Sequence, residues 1–356
     1  MVSNGNIPQG VGQTAIGVAK IRARESERAD RLFHDPYAGA FVDAAPGAPV
    51  DAGPGAPAEA APGAPVDAGP GAPAEAAPGA LADAAPEAPV DAGPEALADA
   101  APGAPVDAGP DALVDAALGA TVPRQASGEP TALGAIFQAR VVIRTRFYDD
   151  YLLAACAAGC RQVVLLAAGM DTRGYRLDWP PGTRLFEIDQ PDVLAFKDAV
   201  LTTRDAVPRC HRVARAADLR QNWAAVLLDS GLRPSERTAW LAEGLLIYLT
   251  AEEVEQLFAT ITGLSAPGST IAFEYTDYLS DDAGTSPISH ARTMPGMSRI
   301  TALWKGGLGA ETPDWLGRHG WQIQTHSIGP VAASYHRSIP GRASGGFLTA
   351  TRGEAT

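Results

Sequence analysis

Between residues 45 and 116 the chain repeats one octad nine times: APGAPVDA, GPGAPAEA, APGAPVDA, GPGAPAEA, APGALADA, APEAPVDA, GPEALADA, APGAPVDA and GPDALVDA. No other feature restricts folding as severely. The block holds 15 of the 30 prolines, no aromatic residue and few Val or Leu. Proline removes an amide donor, confines its predecessor to extended conformations and breaks helices. With so little apolar surface to bury, the segment cannot offset its conformational entropy, so a disordered or locally extended stretch is expected. Only Ala-rich pieces such as 95–101 suit a turn of helix. An eight-residue period matches none of the usual solenoid repeats. Two roles are open to the block. It is a passenger expansion in a tolerant surface loop, because long insertions add little closure entropy, or it is an acidic tether for a protein partner.

The repeat also accounts for the charge. The chain carries 28 Lys+Arg and 41 Asp+Glu, a formal net charge of −13. The octads hold 12 of the acids and no Lys or Arg, which leaves the other 284 residues at −1. That length suits one α/β domain. Neither a basic stripe nor a binding motif speaks for nucleic acid or for anionic lipid. The start, MVSNGNIPQG, lacks the basic end and apolar core of a signal peptide, and there is no apolar run of about 20 residues to span a membrane. Cys156, Cys160 and Cys210 make no disulfide framework, and the Cys156–Cys160 spacing has no second ligand pair for zinc. A cytoplasmic protein with reduced core thiols and no metal is expected.

On either side of the repeat the pattern is that of a folded protein. Thr14–Asp43 reads as helical, with Ile16, Ala19, Ala23, Leu32 and Phe33 near one face and HDPY closing it. Thr131–Cys160 reads as one or two amphipathic helices marked by Ile136, Val141, Ile143, Phe147, Tyr151 and Leu152. From Arg161 onward, short apolar runs alternate with helical stretches: VVLLAA (163–168), RLFEI (184–188), HRVA (211–214), WLAEGLLIYL (240–249) and TIAFEY (270–275). Such alternation predicts a mainly parallel, doubly wound α/β sheet with the N-terminal helices laid over it. GWQIQTHSI and GGFLTATR predict a closing antiparallel pair.

Ligands of such sheets bind at the carboxyl ends of the strands, near the topological switch point. Four polar features stand there. Gly169, in AAGMDTR (167–173), permits a tight turn after the first strand. The G-x-G-x-x-G phosphate fingerprint is incomplete, because Ala167 holds its first position. Asp189 ends FEID about 20 residues later, where an acid can accept both ribose hydroxyls of NAD or an adenosyl cofactor; a helix cap ahead of Pro191 is the alternative. Asp218 and Leu219 suit an adenine edge, or Asp218 caps the next helix. Glu243 lies inside AWLAEGLLIYL, where a carboxylate needs a partner: a core cation, or an ammonium group on a ligand.

Together these residues resemble the leucine carboxyl methyltransferase family, in particular its actinobacterial branch of S-adenosylmethionine-dependent methyltransferases. The resemblance is carried in order by ESERADRLFHDPYA, RTRFYDDYL, LLAAGMDTRGYRL, FEIDQPDVLAFK, ADLR, AEGLLIYL, LWKGGL and FLTATR, which span nearly all of the non-repeat chain. It implies a Rossmann-like methyltransferase sheet with a helical cover, and S-adenosylmethionine as cofactor. It further implies Asp189 at the ribose, Asp218 and Leu219 at the adenine, Gly169 under the methionine moiety and Glu243 near its amino group. Arg144, or Arg146 two residues on, would clamp the carboxylate, with Arg22 or Arg24 assisting. Ala167 departs from the family's glycine, which matters if that backbone takes a positive φ.

Residues 1–44 and 123–356 are expected to form the methyltransferase domain, with 45–122 as an insert. The expected activity is O-methylation of a carboxylate or hydroxyl on a small molecule. A carboxylate acceptor needs no general base, whereas a phenol benefits from one; Tyr248, His290 and His336 qualify only by residue type, so no base is assigned. The rival readings are an NAD-dependent oxidoreductase, disfavoured by the missing third glycine, and a non-catalytic scaffold that uses the acidic repeat.

Overall fold

The computed structural model describes residues 8, 11–45, 132–275, 303–340 and 345–354. The chain divides into two compact units, Met1–Val50 with Gly109–Thr356, and Asp51–Ala108. The second unit and the expected disorder of the octads lie outside the described residues.

The first unit is built on a seven-stranded sheet. Its strands are β1 (Gln162–Leu166), β2 (Arg184–Asp189), β3 (His211–Ala216), β4 (Thr238–Ala242), β5 (Thr270–Tyr275), β6 (Trp321–Ser327) and β7 (Gly346–Arg352). They lie in the order β3-β2-β1-β4-β5-β7-β6. β1 to β5 pair in parallel, and β7 runs antiparallel between β5 and β6. The closing antiparallel pair and the doubly wound sheet are thus both present.

Strand alternation explains why the apolar runs are continuous. Val164, Leu166, Phe186, Ile188 and Trp240 enter one core, while Val163, Leu165, Leu185, Ala239 and Leu241 enter the other on the opposite face. A strand covered on both sides has no solvent face to keep polar. Glu187 breaks the pattern inside β2. It is fully buried and meets Lys197 Nζ at 2.8 Å and Arg212 Nη2 at 2.7 Å.

Helices cover the sheet: α1 (Val11–Ser26), α2 (Ala38–Asp43), α3 (Ala132–Ala157), α4 (Arg173–Arg176), α5 (Pro191–Thr203), α6 (Trp223–Asp229), α7 (Ala251–Gly263), α8 (Thr312–Arg318) and α9 (Ile328–Ser334). Proline opens α5 in the first turn, and Thr250 with Glu253 forms a capping box on α7. Two expectations are corrected. The helix read over 14–43 is two helices, because Glu25 and Ser26 turn their side chains on downstream amides. Leu32 N–H donates to Glu25 at 2.8 Å and Asp35 N–H to the Ser26 hydroxyl at 2.8 Å, which ends α1. The apolar run 240–249 is not one strand. It leaves the sheet after Ala242, turns at Gly244 with φ +65, and makes a short 3₁₀ turn over Leu246–Tyr248.

Among the described residues no helix is long and apolar enough to cross a membrane. The three cysteines carry free thiols.

Candidate functional site

The strand order reverses between β1 and β4, and the carboxyl ends of β1 to β5 share one edge of the sheet. Register fixes what meets there. Leu166 pairs with Ile188, and Asp189 with Ala216. Ala242 pairs with Phe273, so one further step sets Glu243 beside Glu274.

At the β1 tip the chain turns through Ala167 with φ +51 and Gly169 with φ +47. The left-handed conformation anticipated for the family's glycine is therefore adopted by an alanine, at a cost in strain. Asp189 closes this turn from β2. Gly169 N–H donates to its Oδ2 at 2.6 Å and Gln190 N–H to its Oδ1 at 2.7 Å. Gln190, not Asp189, is the cap residue of α5, and its side chain makes no cap bond. Burial raises the Asp189 carboxyl above its ordinary range, against the opposing pull of the two amides. Gly169 also has little room to spare, since a Cβ there would stand 3.1 Å from the Ala15 methyl of α1.

Asp218 follows β3. It binds the exposed Arg220 side chain at 2.6 Å and accepts from Arg220 N–H at 2.9 Å, a local turn that caps no helix. Those bonds hold its carboxyl below the ordinary range. Leu219 beside it is buried in the core.

α3 decides between the two arginines. Residues two apart on a helix point to nearly opposite sides. Arg146 turns away from the strand tips, to Asp150 at 3.0 Å and to the Leu32 carbonyl at 2.9 Å. Arg144 reaches the tips. Its Nε lies 2.8 Å from Glu243 and its Nη1 2.8 Å from Glu274. Gly244 turns beside that guanidinium with φ +65, a conformation that favours glycine; a Cβ there would make only an ordinary contact, 3.6 Å from Nη1. Glu243 therefore has the core cation that the sequence allowed, and a second one besides: Arg173 Nη1 at 2.8 Å.

Arg173 is the hub that sequence reasoning missed. Only 2% of its side chain is exposed, and it pairs with Asp149 at 2.7 Å, with Asp171 and with Glu243. Arg176 grips Asp149 with two bonds of 2.6 and 2.7 Å. Burial works against these charges, but the arginines outweigh it: Arg173 and Arg144 hold Glu243 below its ordinary value, and Arg173, Lys197 and Arg22 bring Asp171 to about 2. The available signal was the pair of charge clusters in MDTR and RFYDD, each next to apolar runs. Asp35 of HDPY joins the same shell. It caps α2 through Tyr37 and Ala38 N–H, accepts from Thr172 at 2.7 Å and lies 3.0 Å from Arg22. Arg22 also donates to the Met170 carbonyl, so its task is to hold the loop. Arg24 is half-buried near the end of α1.

Of the base candidates, Tyr248 lies in the 3₁₀ turn with its hydroxyl 3.5 Å from Thr14, and His336 is exposed after α9. His290 lies outside the described residues. A groove of about 370 Å³ beside Tyr37, Tyr175 and Arg209 contains none of the six candidate cofactor residues.

The geometry can be tested against a cofactor. An amino-acid zwitterion needs a fixed cation and a fixed anion side by side, and Arg144 with Glu243 supplies both. Asp189 stands as an acceptor at the β2 tip, the kind of group a ribose requires, and among the described residues no glycine-rich cradle of the kind a pyrophosphate requires follows a strand. Comparison with known proteins points the same way. The leucine carboxyl methyltransferase model matches residues 80–262. A protein of Parafrankia sp. (strain EAN1pec) is 41% identical over 345 residues, covering 96% of this chain and 87% of its own. One from Frankia alni is 42% identical over 347 residues, covering 97% and 96%. A third, from Saccharopolyspora erythraea, is 34% identical over 360 residues, covering 98% and 97%. All three bear the name "Putative S-adenosyl-L-methionine-dependent methyltransferase".

Proposed function

The chain belongs to the leucine carboxyl methyltransferase family and is an S-adenosylmethionine-dependent methyltransferase, and we propose that it O-methylates a carboxylate or hydroxyl on a small molecule. The observation that carries the cofactor site is the Arg144–Glu243 pair at the switch point, on the same edge of the sheet as Asp189, which holds Gly169 of the β1 loop. In this reading Asp189 would hold the ribose, Asp218 and Leu219 the adenine, and Glu243 the methionine ammonium. Arg144 would hold the carboxylate, with the guanidinium fork suited to that group. Gly169 would let the methionine lie close to backbone.

When bound, the cofactor supplies an electrophilic methyl group on a sulfonium. What the protein adds is position and dryness. The Arg173 shell keeps Glu243 ionised and fixed, and the buried loop 167–173 removes water from one side of the site. Titration calorimetry with S-adenosylhomocysteine tests the reading, which fails if no heat of binding appears. We infer in addition that residues 45–122 are an insert between α2 and α3. Deleting residues 45–116 should leave that affinity unchanged within about twofold, because insert length contributes only a slowly varying closure entropy. A large loss would mean that the repeat takes part in the site.

A further inference from the structure

Glu243 and Glu274 end adjacent strands and share one cation. Arg144 bonds Glu243 through Nε and Glu274 through Nη1, both at 2.8 Å. Beyond that the two carboxylates differ. Glu243 has a second arginine, Arg173 at 2.8 Å. Glu274 has Arg144 as its one ion pair among the described residues, and Gly244 N–H fixes its head with 2.9 Å to each oxygen. Across the knot as a whole, four carboxylates (Asp149, Asp171, Glu243, Glu274) meet three guanidiniums (Arg144, Arg173, Arg176). Among the described residues Glu274, like Asp171, has a single arginine and shares it with another carboxylate, and it alone of the four stands on β5.

We propose that Glu274 is the proton acceptor of the methyl transfer, and that the methyl acceptor is therefore a hydroxyl and not a carboxylate. The proposal rests on the cofactor reading of Arg144 and Glu243. In the transfer an oxygen lone pair of the acceptor forms the O–CH₃ bond. The S–CH₃ bond breaks with its electron pair going to sulfur, and the hydroxyl proton passes to Glu274. Sulfonium, neutral alcohol and carboxylate become thioether, ether and carboxylic acid, so one positive and one negative charge disappear together. A carboxylate acceptor has no proton to give. It would also bring a further anion beside Glu243 and Glu274, whose arginines are already shared.

The directions in which the two carboxyls are pushed agree with this division. Burial and the neighbouring Glu243 raise Glu274 above its ordinary range in spite of Arg144, whereas Glu243 is held below its own. Neighbouring carboxyl groups pushed in opposite directions mark a fixed charge and a proton carrier. Among the described residues the groups facing Glu274 are Arg144 and Tyr148 from α3, and Glu243 with Gly244 N–H from the end of β4. Tyr148 lies one turn beyond Arg144, is fully buried, and has no hydrogen-bond partner for its hydroxyl among the described residues. Burial and the two glutamates keep that hydroxyl protonated, so it cannot compete for the proton.

The decisive experiment is calorimetry of S-adenosylhomocysteine binding to the full chain at pH 7 in buffers of different ionisation enthalpy. That complex has the product-side charge, because the thioether lacks the sulfonium. A net proton uptake on binding is expected, because the complex lacks the cation that would favour the ionised carboxyl. The uptake should vanish in Glu274→Gln, which keeps an acceptor oxygen for Gly244, and persist in Tyr148→Phe. Equal uptake in Glu274→Gln and the parent overturns the proposal, as does binding by the parent with no uptake. Absence of any binding overturns the cofactor reading instead. A second arm supplies methyl-labelled cofactor with phenol, benzyl alcohol and benzoate as probes. A base-stable ether, reduced about 100-fold or more in Glu274→Gln, is expected; a base-labile ester from benzoate as the sole product overturns it.

Discussion

The two halves of the candidate cleft hold their acids by different means. Under β1 and β4, Asp149, Asp171 and Glu243 are locked to Arg173, with Arg176 and Arg144 in support. Under β2 and β3, among the described residues, Asp189 is held by backbone amides and Asp218 by an exposed arginine. The first half is saturated with charge and belongs as much to the fold as to the site. Because the second half is lightly held, its acids can exchange partners when a ligand arrives. A residue that costs the fold much when removed is thus expected under β1 and β4, and one that costs mainly affinity under β2.

Arg173→Met should break that contrast most visibly. It leaves three buried carboxylates short of a cation and should cost roughly 3–5 kcal/mol in urea unfolding. A loss under about 1 kcal/mol would show that the knot does not hold the fold. Asp189→Ala makes the opposite test. S-adenosylhomocysteine affinity should fall about 10- to 100-fold, as expected for lost hydrogen bonds to a charged acceptor, with little change in unfolding. Equal damage to stability would erase the distinction between the halves.

Acid separates them as well. Asp171 is held at about 2 against an ordinary 3.8. A depressed carboxyl stabilises the fold above its unfolded value and loses that contribution as pH falls through the folded one. Unfolding free energy should therefore drop by on the order of 2 kcal/mol between about pH 4 and pH 2 from this residue. Asp189, raised by burial, has the opposite sign: its contribution is present at low pH and lost as pH rises through its folded value. Asp171→Asn should flatten the acid limb, and an unchanged limb would assign it elsewhere. The smallest effect is expected at the turn itself. Ala167→Gly relieves a left-handed alanine and should stabilise by about 1 kcal/mol, less the extra chain entropy of glycine. Destabilisation would mean that the packing of the Ala167 methyl against the core outweighs its φ.

Much of this was legible before any fold was known. Short runs bounded by turns placed six of the seven strands near their observed limits: the two-sided burial of β1, β2 and β5 writes itself directly into sequence, while the more exposed edge strands β3 and β6 are marked by their bounding turns. The fourth run misled: apolar character continues through Leu249, but the chain leaves the sheet at Ala242 to turn at Gly244. α1 misled for a related reason. Its helical period runs on to Phe33, and only side chains folding back from Glu25 and Ser26 end it earlier. Among the candidate site residues, Asp189, Asp218 and Glu243 stood out as polar groups after strands. Arg173 and Glu274 did not, since an arginine beside an aspartate, or a glutamate at a strand end, is ordinary until its surroundings are known.

The sequence by itself determined the alternation of strand and helix, the order of acids along one edge of the sheet, and the confinement of nearly all the net charge to a proline-rich block. These are local or periodic properties. Tertiary structure decided that Arg144 and not Arg146 reaches the strand tips, that Arg173 gathers carboxylates from α3, the β1 loop and β4, and that Glu243 and Glu274 stand side by side with their carboxyls pushed in opposite directions. Those outcomes depend on burial and on distances between residues far apart in the chain. A carboxylate's charge is set by what surrounds it, and no local pattern encodes that.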